Sequence, residues 1–544
     1  MKKFVIENKN LVILWVLCGI ALFIFCGHYG NILLDIGREV YYPQRILEGK
    51  VLYKDLFNIY GPLSYLINAL LYKIFSPNLA VLYFSGILCS FGIVTGIYLI
   101  AKKFLSEFLS LSLGIFTIIT GICATHLFSF TFPYSWAMLY GTVGFIYSVW
   151  ALIKYKTENK LPYLYLSSLL AGFCVCNKYD FYIYALLLLV IVLFTKNKRA
   201  ILSCFTCFLI FPVICGLTLW AQGLRLNDLF MAFKDIKNVI YAPTLHYFYT
   251  VQGIYFHKKI LNLWLINILK TGFGFAGLLL GYKLTEKNKI AGYAICAVFA
   301  ILIAIFTKPI SFMFLVPLLI LTAVGGCLKL KDNLPVILLL FCALSVCTRC
   351  FWALHPLNYG NYFIAIIFTA FLAVVFSFAD KKYEKIVAIG LLAAGLNFLF
   401  NACMSRSYLS TKVSTSKGTI YTYEKNAQTA NTVISYLKYN NAQSAVIFPE
   451  GLLINFLSDV KADDYYNSLI PLYSDSFGES DFISHLKQSK PEYVVFNSLS
   501  MKEYSYGKIC DSYAEQICQY VLDNYTQVKD VNDGFRYIMF KRHQ

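Results

Sequence analysis

The stretch LAVLYFSGILCSFGIVTGIYLIA, residues 79–101, has no charged side chain in 23 positions and is followed by Lys102 and Lys103. About 20 apolar residues are enough for a helix to cross the hydrocarbon core of a bilayer, so this stretch predicts a membrane span. Similar runs lie near 10–28, 105–125, 132–153, 161–177, 179–195, 200–221, 262–282, 289–306, 309–327, 334–352, 360–378 and 385–403. The pattern predicts a polytopic α-helical membrane protein with about 13 transmembrane helices. The first is expected to be retained rather than removed as a signal peptide.

Composition supports the same class of protein. Of the 544 residues, 58% are hydrophobic and 14% are charged, whereas soluble domains have roughly 25% charged residues. The formal net charge of +18 would suggest a nucleic-acid partner in a soluble chain. However, residues 404–544 contain 14 basic and 15 acidic residues, so the basic excess lies entirely in the apolar part. There it orients helices in the membrane, and no nucleic-acid partner is predicted.

Residues 61–75 form an apolar run whose role depends on charge. With about 15 residues and a Gly61-Pro62 start, the run could be a short span or a helix lying in the membrane interface. Only the interfacial interpretation puts every short basic loop on the same side as Lys2 and Lys3, as the positive-inside rule requires. We therefore predict that the N-terminus is cytoplasmic and, with an odd number of spans, that the C-terminus is outside.

Two parts of the chain are predicted from the change in composition after Cys403. Residues 1–403 form the transmembrane part, with two long outer loops at 29–78 and 222–260. Residues 404–544 alternate charged and apolar segments, which predicts a small extracytoplasmic α/β domain. Its expected helices are 426–439, 452–458, 481–488 and 512–525, and its expected strands are 444–449, 492–497, 527–531 and 536–541.

The 17 cysteines do not predict a disulfide scaffold, because fifteen of them lie in or beside apolar runs without the spacing of metal ligands. Only Cys510 and Cys518 lie in the polar C-terminal part. Eight residues along one helix would separate them by about 12 Å. They are therefore not expected to pair unless that helix is interrupted.

The densest group of chemically useful side chains follows the first span, in Asp35-Ile-Gly-Arg-Glu39. Asp35 and Glu39 are four residues apart, so on a helix they would share one face and could hold a proton, a metal or a sugar hydroxyl. Arg38 could bind an anion beside them. The alternative is a solvated amphipathic helix with ordinary surface charges.

The residues around this segment resemble a known family. An Asp at the outer end of the first span, the stretch Gly49-Lys-Val-Leu-Tyr53-Lys-Asp55 and a Tyr60-Gly-Pro62 start to an interfacial helix resemble the GT-C glycosyltransferases. The similarity is greatest to the branch of the protein O-mannosyltransferases and lipid A aminoarabinose transferases. The resemblance implies sugar transfer from a polyprenyl-phosphate donor, with Asp35 as general base. It offers Glu39 as a second carboxylate, although the mannosyltransferases have an adjacent Asp-Glu pair.

Such a reaction also needs cations for the departing lipid phosphate and polar groups for the sugar. Arg38, Lys178, Lys308 and Arg349 are the candidate phosphate ligands, although Lys178 and Arg349 could equally anchor helix ends. Asp55, Tyr60, Asp180, His355 and Asn358 are the candidate substrate ligands. No metal site and no cofactor are predicted, because no second His or Cys lies at ligand spacing from His355. The acceptor is expected to be a lipid, a glycan or a protein.

A second class of function is a transporter or flippase of lipid-linked saccharides. Transporters commonly have their substrate and ion sites near the middle of the membrane, on broken helices. In this chain the acidic residues of the apolar part lie near the predicted ends of spans or in loops. That distribution favours the enzyme.

Overall fold

The computed structural model describes residues 8–30, 32, 35–252, 254–330, 333–349, 352, 359–532, 534 and 536–543. Each predicted apolar run contains an apolar helix. These helices are α1 (Lys9–Phe25), α4 (Leu79–Phe104), α5 (Glu107–Thr117, continued by a π-helical turn Ile118–Ile122), α6 (Trp136–Glu158), α7 (Leu161–Asn177), α8 (Tyr182–Leu193), α9 (Lys198–Ala221), α12 (Lys258–Leu284), α13 (Lys289–Phe306), α14 (Leu315–Lys329), α15 (Leu334–Ser345), α16 (Ile364–Phe378) and α17 (Glu384–Tyr408).

Within the described residues, six helical segments are long and apolar enough to cross a membrane. They are α4, α6, α9, α12, α13 and the stretch Lys381–Tyr408, which includes α17. The other apolar helices are 10–17 residues long. The chain is therefore a helical membrane protein, while the number of spans and their orientation stay predictions.

Short polar residues fix where several of these helices begin. The Asn78 side chain accepts a hydrogen bond from the backbone N–H of Ala80 and begins α4, and Asn288 begins α13 in the same way. Asn197 accepts from two backbone N–H groups at the start of α9. Such side chains pair the backbone donors that a helix leaves unsatisfied in its first turn.

The long loops at 29–78 and 222–260 are called the first and second outer loops after their predicted side of the membrane. The first contains two helices, α2 (Ile36–Leu47) and α3 (Leu63–Phe75). At 13 residues α3 is about 20 Å long, which is short for a span. One of its faces is buried through Tyr65, Asn68 and Tyr72, while Leu70 and Ile74 on the other are exposed. The placement of α3 in the membrane interface stays a prediction.

The second outer loop contains α10 (Leu226–Tyr241) and α11 (Pro243–Val251). Its last turns approach the C-terminal region. The Tyr465 hydroxyl donates to Asp235 at 2.5 Å, and the rings of Phe248 and Tyr504 stack with centroids 5.0 Å apart. Both outer loops are thus in contact with the C-terminal region.

The C-terminal region has the mixed α/β composition that was predicted, with two additions. Its helices are α18 (Glu424–Tyr439), α19 (Leu452–Ser458), α20 (Pro471–Phe477), α21 (Glu479–Ser489) and α22 (Glu515–Asn524). Its strands are β1 (Thr411–Thr415), β2 (Gly418–Thr422), β3 (Ala445–Phe448), β4 (Tyr493–Asn497), β5 (Tyr525–Val531) and β6 (Tyr537–Arg542). The β1–β2 hairpin and α20 were not predicted.

A four-stranded sheet with the order β3-β4-β6-β5 forms the centre of this region. β3 and β4 are parallel, and the other pairs are antiparallel. Every residue of β3 and β4 is buried, which explains their uninterrupted apolar sequences. Because parallel strands end at the same edge of a sheet, the segments after Phe448 and Asn497 lie close together.

The expectation that Cys510 and Cys518 do not pair is wrong. The two sulfur atoms form a disulfide, with the Cα atoms 5.7 Å apart. The sequence-based distance assumed that one helix carries both cysteines, but α22 begins only at Glu515. Cys510 therefore lies in the preceding loop, which folds back on the helix.

Candidate functional site

A cavity of about 300 Å³ lies where the two outer loops meet the C-terminal region. The start of α2, the loop after α5, helix α11 and the segments after β3 and β4 contribute to its wall. Its charged lining residues are Asp35, Arg38, Glu450 and Glu503. Most of the remaining wall consists of aromatic residues, among them Tyr60, Tyr134, Tyr179, Tyr359, Tyr473 and Tyr504.

Asp35 is the residue immediately before α2 and has a backbone φ of 58°. Such a conformation is uncommon for a residue other than glycine, and Asp is among the types that tolerate it. Burial raises the pKa of its carboxyl to about 6, and the nearby Arg38 guanidinium opposes that rise. A carboxyl with this pKa is ionised at neutral pH but can still accept a proton from a substrate.

Arg38 lies one turn further along α2. Its guanidinium carbon is 5.1 Å from the centroid of the Tyr60 ring and 5.8 Å from that of Tyr134. Its Nη2 atom is 3.7 Å from a Glu39 carboxylate oxygen. Among the described residues, Nε and Nη2 are buried without a hydrogen-bond acceptor. The guanidinium thus has donors available for an anion in the cavity.

Lys178 approaches the same aromatic group from the end of α7. The residue is completely buried, and its ammonium lies 4.2 Å from the Tyr60 centroid and 4.0 Å from that of Tyr359. It donates a hydrogen bond to the Ser135 hydroxyl at 3.4 Å. Two cations therefore lie close to the Tyr60 ring, and the Tyr60 hydroxyl is hydrogen-bonded to that of Tyr134 at 2.9 Å.

Glu39 does not line the cavity. It is 1% exposed, and its two carboxylate oxygens accept hydrogen bonds from the Tyr65 hydroxyl and the Trp136 backbone N–H. These contacts join α2 to α3 and α6. The position of Glu39 indicates that it holds the helix carrying Asp35 and Arg38, rather than facing a substrate.

Of the expected substrate ligands that the structure describes, only Tyr60 lines the 300 Å³ cavity. Asp55 accepts a hydrogen bond from the Val51 backbone N–H at 2.9 Å and stabilises its own turn. Asp180 is buried in the short 3₁₀ turn Tyr179–Phe181, behind Tyr179. His355 and Asn358 lie outside the described residues.

The two remaining phosphate candidates differ from Arg38 and Lys178. Lys308 follows α13 and precedes the 3₁₀ turn Pro309–Phe314. Its side chain is exposed and does not line the cavity. Arg349 ends a 3₁₀ turn, Cys347–Arg349, and its side chain lies outside the described part of the structure. The structure therefore brings together Asp35, Arg38, Lys178 and Tyr60.

Sequence reasoning missed the contribution of the C-terminal region to this cavity. Glu450 follows β3, and Glu503 and Tyr504 follow β4. The stretch Phe448-Pro-Glu450-Gly451 could have indicated this contribution. A carboxylate directly after a buried strand lies in a loop at the edge of the sheet, and loops commonly carry binding and catalytic residues. Its distance of 415 residues from Asp35 concealed the contact.

An apolar groove of about 1080 Å³ begins beside the cavity. Ile59, Tyr60 and Tyr179 line both spaces. Away from the cavity, the groove follows α7, α8 and α9 and is lined by apolar residues such as Leu186, Leu189, Phe205, Phe208 and Leu219. Its wall can accept a long hydrocarbon chain next to the charged residues.

In the described part of the chain, no three His, Cys, Asp or Glu side chains are grouped as metal ligands. The charged groups that line the cavity are the carboxyls of Asp35, Glu450 and Glu503 and the guanidinium of Arg38, and the Lys178 ammonium lies beside its aromatic wall. The negative charge of a phosphate bound there would be balanced by protein side chains.

Neither a family model nor a curated protein matches this chain. Solved structures with a similar course of the chain include an oligosaccharyltransferase from Archaeoglobus fulgidus in complex with zinc and sulfate. That structure is 11% identical with a TM-score of 0.48, and the match covers 90% of this chain and 68% of the other.

Another match is ArnT from Cupriavidus metallidurans bound to undecaprenyl phosphate, at 10% identity and a TM-score of 0.44, with 98% of each chain covered. A third is the archaeal oligosaccharyltransferase AglB with an inhibitory peptide and a dolichol-phosphate, at 11% identity, a TM-score of 0.47 and coverage of 91% and 70%. These neighbours have the GT-C fold, which the sequence resemblance named. The likeness is limited to the course of the chain.

Proposed function

We propose that this protein is a membrane glycosyltransferase that transfers a sugar from a polyprenyl-phosphate donor to an acceptor hydroxyl, with inversion at the anomeric carbon. One observation carries the proposal. The cavity with Asp35 and Arg38 opens beside an apolar groove, and the two spaces share Ile59, Tyr60 and Tyr179. A phosphate-linked sugar with a hydrocarbon tail needs a charged space and an apolar space in this arrangement.

The residues of the cavity fit the steps of such a transfer. The acceptor oxygen attacks the anomeric carbon, and its proton passes to the Asp35 carboxylate. The bond between that carbon and the phosphate oxygen breaks, and the lipid phosphate departs with the bonding electrons. Arg38 and Lys178 would stabilise the negative charge that forms on the phosphate. Tyr60, close to both cations, would offer its ring to the sugar.

The apolar groove supports a lipid-linked donor rather than a nucleotide sugar. Its described lining is almost entirely hydrocarbon, with Arg225 as its charged residue. Hydrophobic burial contributes about 0.8 kcal/mol for each methylene group, so a prenyl chain would gain substantial affinity from this wall. A nucleotide would find few polar partners there.

We further propose a 13-span topology with the cavity and residues 404–544 on the outer face. The short basic loops then all lie on the cytoplasmic side. The Cys510–Cys518 disulfide supports an oxidising surrounding for the C-terminal region. On the outer face no supply of nucleotide sugars is expected, so the donor would arrive on a membrane lipid.

The test uses purified full-length protein in detergent or vesicles with a set of polyprenyl-phosphate sugars and a matched set of nucleotide sugars. Formation of a new glycosidic bond from the lipid donors, with release of polyprenyl phosphate, is the expected result. Transfer from nucleotide sugars alone would overturn the donor assignment. Movement of a sugar lipid across the vesicle membrane without bond formation would replace the enzyme by a flippase.

A further inference from the structure

Glu450 is a residue of the C-terminal region that is in direct contact with Asp35. The backbone N–H of Asp35 donates a hydrogen bond to the Glu450 Oε2 atom at 3.1 Å. Both residues line the central cavity. The Glu450 carboxyl, from the C-terminal region, thus binds the backbone of Asp35, the expected base in the transmembrane part.

The C-terminal sheet fixes Glu450 in this position. The Ser468 hydroxyl donates to its Oε1 atom at 3.2 Å, and the Asn497 side-chain amide donates to its backbone carbonyl at 2.9 Å. Asn497 is the last residue of β4 and Glu450 follows β3, so the parallel pair β3–β4 holds the contact from both strands. Contacts within the C-terminal region therefore hold Glu450 in place independently of its hydrogen bond with Asp35.

A second contact brings the two regions into close approach. Helix α19 begins two residues after Glu450, and it packs against α2 at Gly37. A Cβ atom at Gly37 would lie 2.4 Å from the Leu453 backbone nitrogen and 2.7 Å from the Leu452 Cβ. The absence of a side chain at Gly37 thus allows Glu450 to reach Asp35.

The backbone of Asp35 requires support of this kind. Its φ of 58° is combined with a ψ of −47°, a conformation that non-glycine residues rarely adopt. Such a conformation persists when surrounding contacts determine it. The hydrogen bond to Glu450 is a contact of the Asp35 backbone that does this.

We propose that Glu450 is a positioning residue of the transfer site, which holds the Asp35 backbone so that the Asp35 carboxyl faces the cavity and the acceptor hydroxyl. This inference rests on the proposed function. The C-terminal region is then a part of the active site, and the transmembrane part without it would carry a misplaced base. Glu450 acts through Asp35, while Asp35 itself takes the proton.

The charge of the pair is consistent with this arrangement. Burial, followed by repulsion from Asp35, raises the pKa of Glu450 to about 8, so the pair holds a single negative charge near pH 7. A neutral Glu450 carbonyl oxygen accepts the Asp35 N–H without repelling the donor phosphate. The charged and titratable groups that face the pair are Arg38, Lys178, Glu39, Tyr134, Tyr473, Glu503, Tyr504 and Tyr513.

The test compares Glu450→Ala with Glu450→Gln, because glutamine keeps an oxygen that can accept the Asp35 N–H. Glu479→Ala is the matched control, since Glu479 also accepts backbone N–H groups in the C-terminal region, from Gln516 and Ile517. We expect kcat to fall about 10- to 100-fold in Glu450→Ala, as for a displaced catalytic group, with the donor KM within about threefold. Glu450→Gln and Glu479→Ala should keep most of the wild-type kcat.

The pH profile adds a readout that a purely structural role would not change. In the wild type, ionisation of Glu450 near pH 8 adds a negative charge beside the donor phosphate, so kcat/KM for the donor should fall above that pH. Glutamine cannot ionise, so this fall should be absent in Glu450→Gln. A wild-type kcat in Glu450→Ala, or an equal loss in Glu479→Ala, would overturn the inference.

Unfolding measurements make the test independent of turnover. Because the folded-state pKa of Glu450 is raised, its contribution to stability is complete below about pH 4.3 and is lost as the pH rises through about 8. The wild-type Tm should therefore fall more steeply between pH 5 and 8 than that of Glu450→Gln, and equal slopes would overturn the inference. Failure of the proposed function would instead appear in the wild type, as absence of transfer from every polyprenyl-phosphate sugar.

Discussion

The guanidinium carbon of Arg38 lies 5.1 Å from the centre of the Tyr60 ring, on which the Lys178 ammonium also acts from 4.2 Å. Cations near an aromatic face are attracted to it, and two of them around one ring produce a concentrated positive field. A dianionic or monoanionic phosphate would relieve the repulsion between Arg38 and Lys178. The pair therefore marks where the donor phosphate is expected.

Replacing Arg38 should weaken donor binding. Hydrogen bonds to charged groups contribute about 1.5–3 kcal/mol, so Arg38→Gln should raise the donor KM by roughly 10- to 100-fold. Arg38→Lys should lie between Arg38→Gln and the wild type, because a lysine keeps the charge but not the planar fork. The control is Arg536→Gln, which removes an exposed arginine paired with Asp530. An unchanged donor KM in Arg38→Gln would remove Arg38 from the phosphate site.

Removing the expected base should affect turnover more than binding. Asp35→Asn keeps the size of the side chain but cannot take a proton, so kcat should fall by about 10²- to 10⁴-fold. Donor binding, measured by equilibrium titration, should stay within a few-fold of the wild type. Asp523→Asn, at an exposed position on α22, is the matched control. Near-normal turnover in Asp35→Asn would show that another group accepts the proton.

The pH dependence of transfer should report the same carboxyl. Because the Asp35 pKa is raised to about 6 and the base must be ionised, kcat should increase as the pH rises through about 6 and then level off. Any residual activity of Asp35→Asn should lack this rise. A rate that is flat between pH 5 and 7.5 in the wild type would contradict the assignment.

Filling the apolar groove should discriminate between donors by chain length. Gly216 on α9 lines the groove, and a Cβ atom there would meet no other atom within 4 Å. Gly216→Phe should therefore fold normally yet raise the KM of long-chain donors more than that of short-chain analogues. Gly272→Phe, at an equally open position on α12 outside the groove lining, is the control. An equal effect of both substitutions on both donors would place the lipid elsewhere.

The proposed topology can be tested by labelling with a membrane-impermeant thiol reagent. Tyr439 is 88% exposed at the end of α18, and Thr157 is exposed in the last turn of α6, close to Lys156 and Lys160. In intact cells with a permeable wall, Tyr439→Cys should react above the background of the native cysteines, and Thr157→Cys should react only after the membrane is opened. The reverse pattern would contradict the outer location of the C-terminal region.

Much of the fold followed from local sequence patterns. The apolar runs predicted the helices of the bundle because their length and composition are properties of continuous segments, as in residues 79–101 and α4. The alternating tail predicted most strands and helices of the C-terminal region. The disulfide was missed because both cysteines were assumed to lie on one helix, whereas α22 begins only at Glu515 and Cys510 lies in the loop before it.

The candidate site was predictable only in part. Asp35, Arg38 and Tyr60 lie close together in sequence, so one outer loop suggested them. Glu39 also belonged to that pattern, but a spacing of four residues does not reveal that its carboxylate binds Tyr65 and Trp136. Lys308 was chosen for its place at a helix end, which says nothing about distance from the cavity.

The sequence by itself determined that the chain is a helical membrane protein with a mixed α/β C-terminal part. Those properties depend on hydrophobic length and on periodicity, which a single sequence contains. Only the tertiary structure decided that Glu450 contacts Asp35 across 415 residues, and that Arg38 and Lys178 both lie close to the Tyr60 ring. Such contacts arise from the packing of elements that are distant in sequence, here from the close approach of α19 to Gly37.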